Sequence, residues 1–234
     1  MSRTLCLACE RPKKACICDF IVKVSNKVPV IILQHPSEVS QMKGTVALLS
    51  RSLQSCEVIV AENFDQVPEF DRHQKNRQLV LLYPSQQATL LSASSIPDLI
   101  TTQQTQSTEV NEAKELSLVI LDGTWKKAYR MFMLSKKLQA LPQVCLPASI
   151  ACSGNYSIRK VAKKNALSSL EAVCYALAML EADNRKVGHK IVDITSSFAA
   201  QYQPLLDKFK QFNLFQLSFR PDHIAPQGAI SKES

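Results

Sequence analysis

"LSLVILDGTWKKAYRM" (residues 116–131) changes character in a single step. Its first six residues are apolar except for one serine. A half-buried strand alternates apolar with polar positions, whereas a continuous run suits a strand covered on both faces, as in a parallel sheet. Asp122, Gly123 and Thr124 then interrupt the run, and Trp125 opens a segment with helical spacing. Trp125, Tyr129 and Phe132 recur at i, i+4 and i+7 on one face, with Phe132 read as core. Lys126, Lys127 and Arg130 fall within about 140° of helix arc and form a basic ridge beside the acid. Strand, short turn and helix in this order form the building unit of an α/β fold.

The same alternation runs through the rest of the chain. "VPVIILQHP" (28–36), "CEVIVAE" (56–62), "LVLLYPS" (79–85) and "QVCLPA" (143–148) read as further strands. Helical spacing is predicted over 37–53, with Ser37 as its N-cap, and over 125–138, 168–182 and 191–212. Strands separated by helices predict an α/β protein with a mostly parallel sheet and helices on both faces. "TTQQTQSTEVNEAKE" (101–115) is polar and reads as a surface loop. The expected organisation is an arm over 1–20, one catalytic domain over 21–224 and a flexible tail over 225–234.

The chain has 234 residues, enough for one full core. No window approaches the roughly 18 consecutive apolar residues of a membrane span, and the N-terminus lacks a signal-peptide h-region. The expectation is a cytoplasmic protein without membrane association, and nothing in the chain sets an oligomeric state. The net charge is +8, and it is segregated. Residues 1–51 carry 8 basic against 3 acidic side chains, 52–121 carry 4 against 9, 122–164 carry 9 against 1, and 165–234 carry 7 against 7. Either the basic blocks are solubility patches or they face a polyanion such as a nucleic acid. Only five glycines occur, none of them in GxGxxG or a P-loop, which excludes the usual dinucleotide and Walker sites.

"CLACERPKKACIC" places Cys6, Cys9, Cys16 and Cys18 within 13 residues. Four thiolates at this spacing close a tetrahedral shell around zinc, and the metal then supplies the arm's folding energy. Two disulfides and an iron–sulfur cluster are the other readings, the first disfavoured in a reducing compartment. Arg11-Pro12 helps the chain turn between the cysteine pairs, and Arg11, Lys13 and Lys14 put phosphate-binding charge on the same loop. Cys56, Cys145, Cys152 and Cys174 stand in apolar contexts and read as core residues.

Asp122 stands at the carboxyl end of a strand, where α/β sheets bind ligands. Burial among apolar neighbours raises a carboxyl pKa from ~3.9 toward a value useful to a general base. The competing reading is an N-cap for the following helix, a role open to both Asp122 and Thr124. Farther on, Arg159, Lys160, Lys163 and Lys164 lie in a predicted loop, and Ser168 with Glu171 fits a capping box. A capped helix start also receives anions.

Seven ordered blocks now carry a resemblance. They are the C-x2-C-x6-C-x-C arm, "QHPSE" (34–38), "KGTVALL" (43–49), "LLYPS" (81–85), "LDGTW" (121–125), "YSIRK" (156–160) and "LSSLEA" (167–172). Together the chain resembles the DTW-domain proteins, the tRNA-uridine aminocarboxypropyltransferases. Two positions depart from the pattern: Ser169, where threonine is expected, and the segment after the basic pair, which lacks a proline. The resemblance implies a SPOUT-like knotted core that binds S-adenosylmethionine (SAM) in its knot loops. It places Leu82, Tyr83, Pro84, Leu121, Gly123, Thr124, Trp125, Tyr156, Ser157, Arg159 and Ser168 around SAM. It implies structural zinc on the four cysteines and tRNA as partner. Arg11, Lys13, Lys14, Lys126, Lys127, Arg130, Lys160, Lys163 and Lys164 are then RNA-binding. The implied reaction is attack of uridine N3 on the γ-carbon of the methionine portion, with Asp122 as base and methylthioadenosine leaving. Trp125 or Tyr156 would face the sulfonium, and Arg159 or the Ser168 helix start the transferred carboxylate.

Two rivals predict different outcomes. A methyltransferase on the same fold adds one carbon to RNA where aminocarboxypropyl transfer adds four. A zinc-armed RNA-binding protein without catalysis tolerates loss of Asp122.

Overall fold

The computed structural model describes residues 4–41, 44–91, 114–151, 167–182 and 200–219. In chain order these form β1 (Val30–Gln34), α1 (Val46–Ser52), β2 (Cys56–Val60), α2 (Pro68–Asn76), β3 (Gln78–Leu82), β4 (Thr89–Leu90) and β5 (Leu116–Asp122). Then follow α3 (Trp125–Leu134), α4 (Lys136–Gln139), β6 (Gln143–Cys145), α5 (Ala148–Ala151), α6 (Ser169–Leu180) and α7 (Gln203–Leu217). The six strands make one sheet in the order β2-β1-β5-β3-β6-β4, and every pairing is parallel.

Side chains alternate across a strand, so each strand feeds two cores. Val30 and Ile32 of β1, Val80 of β3, and Leu118 and Ile120 of β5 pack with Leu48, Leu49, Val173, Leu177, Leu205 and Phe209 from α1, α6 and α7. Ile31 and Leu33 of β1, Leu79 and Leu81 of β3, and Val119 of β5 point the other way. They pack with Phe70, Met131 and Leu138 from α2, α3 and α4. The continuous apolar runs thus have the predicted cause, a parallel sheet with helices on both faces. No helix among the described residues is long and apolar enough to cross a membrane.

Several boundaries differ from expectation. The helix expected over 37–53 is a 3-10 turn at Pro36–Glu38 followed by α1, which starts only at Val46. Ser37 caps nothing. Its hydroxyl and its backbone N–H both turn to Nδ1 of His35 instead, at 2.9 and 3.2 Å. The helix expected over 125–138 breaks at Ser135, which is extended and fully buried. Ser135 Oγ accepts from the N–H of Phe64, and the carboxylate of Asp65 accepts from the N–H groups of Lys136 and Lys137, capping α4. Sequence spacing missed α2, whose buried side chains are only Phe70 and His73, and the two-residue strand β4. The 101–113 part of the polar loop, the 191–199 part of the last predicted helix and the 225–234 tail lie outside the described residues.

The cysteine arm packs against the rest of the chain. Cys9, Ala15 and Ile17 are buried, and Cys9 and Ile17 belong to the core shared with α6 and α7. Phe20 packs edge-on against Phe212 at 5.7 Å and tilted against Phe215 at 5.2 Å, both on α7. The turn between the cysteine pairs is made by Glu10, whose φ of 59° is left-handed, one residue before the Arg11-Pro12 expected to make it. Ile17→Ala is predicted to lower whole-protein stability by about 2–4 kcal/mol. Urea unfolding checks this: the main transition shifts if the arm shares the core, and stays in place if the arm folds apart.

Candidate functional site

The chain leaves β1 by α1, which packs on one face of the sheet, and leaves β5 by α3, which packs on the other. Between two adjacent strands whose following helices diverge, the carboxyl ends open into a crevice. Here that crevice lies between β1 and β5, where Gln34 and Asp122 are partners in the register.

Asp122 is the last residue of β5 and is 6% exposed. Ser169, the first residue of α6, donates its hydroxyl to Oδ1 at 2.8 Å. The Gln34 side-chain amide donates to Oδ2 at 3.1 Å, and the N–H of His35 donates to the Asp122 carbonyl at 3.0 Å. Asp122 is not the cap of α3. Thr124 is: its backbone is extended and its Oγ1 accepts from the N–H of Lys127 at 3.4 Å. The capping role that the sequence left open to both residues therefore falls to Thr124. Gly123 between them has a steric reason, since a Cβ there would stand 3.1 Å from Cβ of Lys127.

Around this acid the basic ridge is partly neutralised. Lys127 donates to Glu38 at 2.7 Å, and the Glu38 side chain is 5% exposed. Arg130 pairs with Glu62 at 2.6 Å, and His35 Nε2 lies 3.4 Å from the same carboxylate. Lys137 pairs with Asp71. Some of the charge segregation thus has an internal cause that composition does not show: Arg130 and Lys137 of the 122–164 block meet acids of the block before it, and Lys127 meets one of the first block. Lys126, Lys13 and Lys14 are exposed and Arg11 is half-buried.

Leu82 and Tyr83 end β3 half-buried, with Pro84 exposed beyond them. Tyr83 stacks on Phe132 at 4.6 Å and 19°, so Phe132 is core on one side only. Burial, and secondarily the charge of Tyr129, raises the Tyr83 pKa. Trp125 and Tyr129 are 65% and 57% exposed. Leu121 and Gly123 are half-buried. Ser168 is buried in the capping box that was predicted: its Oγ accepts from the N–H of Glu171, and the Glu171 carboxylate accepts from the N–H of Ser168. Tyr156, Ser157, Arg159, Lys160, Lys163 and Lys164 lie outside the described residues, as do Cys152 and the chain on which a knot would depend. Sequence reasoning missed Gln34, Glu38, Glu62 and Ser169 as site residues. The polar letters in "QHPSE", set directly after an apolar run, were the one available signal for the first two.

The four arm cysteines form the second site. Their sulfurs lie within 4.8 Å of one another, with Cys6–Cys18 and Cys9–Cys16 each at 3.7 Å. A disulfide needs about 2.05 Å, so none of these is one. A tetrahedron with Zn–S of about 2.3 Å has edges of about 3.8 Å, so the donor set fits a single zinc ion. Backbone N–H groups of Cys9 and then Ala8 bring the Cys6 thiol down to about 6. Hydrogen bonds with Cys16 and then Cys6 push Cys18 up to about 12. Four thiolates this close cannot all ionise without a cation among them. Of the other cysteines, Cys174 is buried as expected, while Cys56 and Cys145 are half-buried.

The match to a family model covers residues 3–217, and that model describes the DTW domain. The chain belongs to the DTW domain family. Its relatives include tRNA-uridine aminocarboxypropyltransferase 2 of Macaca fascicularis, 29% identical over 188 residues, which are 78% of this chain and 58% of that protein. The protein of the same name from Drosophila melanogaster is 30% identical over 181 residues, 76% of this chain and 67% of the relative. tRNA-uridine aminocarboxypropyltransferase A of Arabidopsis thaliana is 24% identical over 213 residues, 82% and 78% of the two chains. This DTW chain therefore spans under two thirds of the macaque relative's length. No solved structure matches it.

Two outcomes are predicted. Elemental analysis of purified protein should find about one zinc per chain; its absence, with four freely reactive thiols, would refute the site. Lys127→Ala should cost about 1–3 kcal/mol, because it strips the buried Glu38 of a charged partner. Lys126→Ala, at an exposed position, should change stability by less than about 0.5 kcal/mol. Denaturant midpoints of the two variants check the contrast.

Proposed function

We propose that this chain transfers the 3-amino-3-carboxypropyl group of S-adenosylmethionine to N3 of a tRNA uridine, giving acp3U and methylthioadenosine. The observation that carries the proposal is a buried carboxylate, held by two side-chain donors among the described residues, at the end of a central strand in the D-x-T-W segment of a DTW-family chain. The names of its relatives support it. When bound, the sulfonium of SAM supplies an electrophilic carbon.

The residues present suit this donor. A sulfonium is a cation, and the aromatic faces of Tyr83, Trp125 and Tyr129 near the strand ends favour cations. Asp122 accepts the N3 proton. The N3–Cγ bond forms as the Cγ–S bond breaks, and the sulfur keeps the electron pair and leaves as a neutral thioether. Regiochemistry follows from position: the carbon held about 3–3.5 Å from N3, in line with sulfur, is the one that reacts. Lys126, Lys13, Lys14 and the cations of 159–164 bind RNA phosphates, and the target base turns out toward the donor. Zinc on the cysteine arm is structural. A SPOUT-like knot and a cytoplasmic site of action complete the proposal.

The test is direct. Purified protein, SAM and bulk tRNA are incubated, the RNA is digested and its nucleosides are weighed. A four-carbon amino acid adduct on uridine supports the proposal; a methyl adduct or no adduct overturns it. Asp122→Asn is predicted to fold and bind SAM but to lose roughly 10²–10⁴ in rate. The rate should partly recover at high pH, where uridine loses its proton unaided. Parent-like turnover by Asp122→Asn at neutral pH would remove Asp122 from the base role.

A further inference from the structure

We propose that Ser169 is a positioning residue for Asp122, and that the capping box of α6 exists in part to hold it there. The inference rests on Asp122 acting as the base.

Ser169 is the first residue of α6, and its hydroxyl donates to Asp122 Oδ1 at 2.8 Å across 47 residues of sequence. A hydroxyl donating to a carboxylate is a charge-assisted bond, roughly twice the strength of a neutral one. The backbone carrying it has little freedom. Ser168 on one side and Glu171 on the other bind each other reciprocally, at 2.8 and 3.2 Å, and both are buried. Leu170, between them, is buried in the core. Ser169 has one side-chain torsion between this fixed backbone and its donor atom.

The other carboxylate oxygen is held more softly. Gln34 reaches Oδ2 at 3.1 Å through three side-chain torsions, although its own backbone is locked in β1 between β2 and β5. Two donors on two oxygens fix the plane of a carboxylate. The shorter bond from the stiffer side chain sets that plane, and the longer one follows it. Helix α6 also directs its positive end toward the acid.

Removing the Ser169 hydroxyl therefore takes from the Asp122 carboxylate the shorter of its two described side-chain bonds and loosens its orientation. Misplacement of a reacting group by about 1 Å costs on the order of 10²-fold in rate. Ser169→Ala should lower kcat roughly 10- to 100-fold while KM for SAM stays within about two-fold, since the hydroxyl lost is bonded to the base. Ser169→Thr restores the hydroxyl and should restore kcat to within a few-fold of the parent on the same reasoning. Ser169→Val has threonine's shape without its hydroxyl and should behave as alanine does. In the Asp122→Asn background, Ser169→Ala should add little further loss, because residues acting as one unit are not additive.

All variants are measured as the full zinc-bound chain on tRNA, by product mass against time. Threonine active with valine and alanine impaired supports the proposal. An alanine variant with parental kcat overturns it. So do threonine and valine variants that are alike, since then shape or folding and not the hydroxyl decides the rate. A parent that makes no aminocarboxypropyl product overturns this inference together with the proposed reaction. An active parent with an indifferent Ser169 overturns this inference alone.

Discussion

A carboxylate at 6% exposure must be satisfied by its neighbours or be neutralised, and the satisfaction of Asp122 organises this molecule. Its donors come from β1, 88 residues away in sequence, and from α6, 47 residues away. Only a sheet in which β5 lies beside β1 can bring the first of these. Only a helix running back over the core face can bring the second. The strand order, the divergence of α1 and α3 to opposite faces, and the capping of α6 all bear on one pair of oxygens.

The charges around that acid are arranged more economically than block counts suggest. Glu38 is as buried as Asp122 and takes Lys127 as partner. Glu62 takes Arg130, and Asp71 takes Lys137. Pairs open to solvent contribute little stability, but they do set where a long side chain rests. Lys127, Arg130 and Lys137 thus rest on fixed partners, while Lys126, one position before Lys127, is exposed.

What the sequence disclosed divides by range. The five longer strands were legible because a continuous apolar run is a local property, and each was carried past its carboxyl end because flanking prolines and polar residues do not mark where pairing stops. The capping box at Ser168 and Glu171 was legible because it spans three residues. The cysteine spacing was legible for the same reason. The break at Ser135 was not, because its causes, the N–H of Phe64 and the carboxylate of Asp65, lie some 70 residues away. β4 is a strand only because β6 runs beside it. Asp122 was singled out by its place after an apolar run, but Gln34, Glu38 and Ser169 gain their meaning from neighbours that no local pattern names. Even the segregated charge was half-read, since an acidic block and a basic block in one chain can be partners.

An all-parallel sheet has no hairpins, and this bears on how the site comes into being. Adjacent parallel strands need crossovers, so each pairing closes a long loop before it gains anything, and such topologies fold slowly. The β1–β5 pairing joins Val30 to Leu118 and is among the longest closures in the sheet. The segments that meet at Asp122 end at residues 34, 122 and 169, so no fragment formed early contains the constellation. A chain still emerging during synthesis holds Gln34 and Asp122 long before it holds Ser169. The surroundings of this carboxylate are therefore complete only when the last of the three segments docks, so the intact site marks the end of folding.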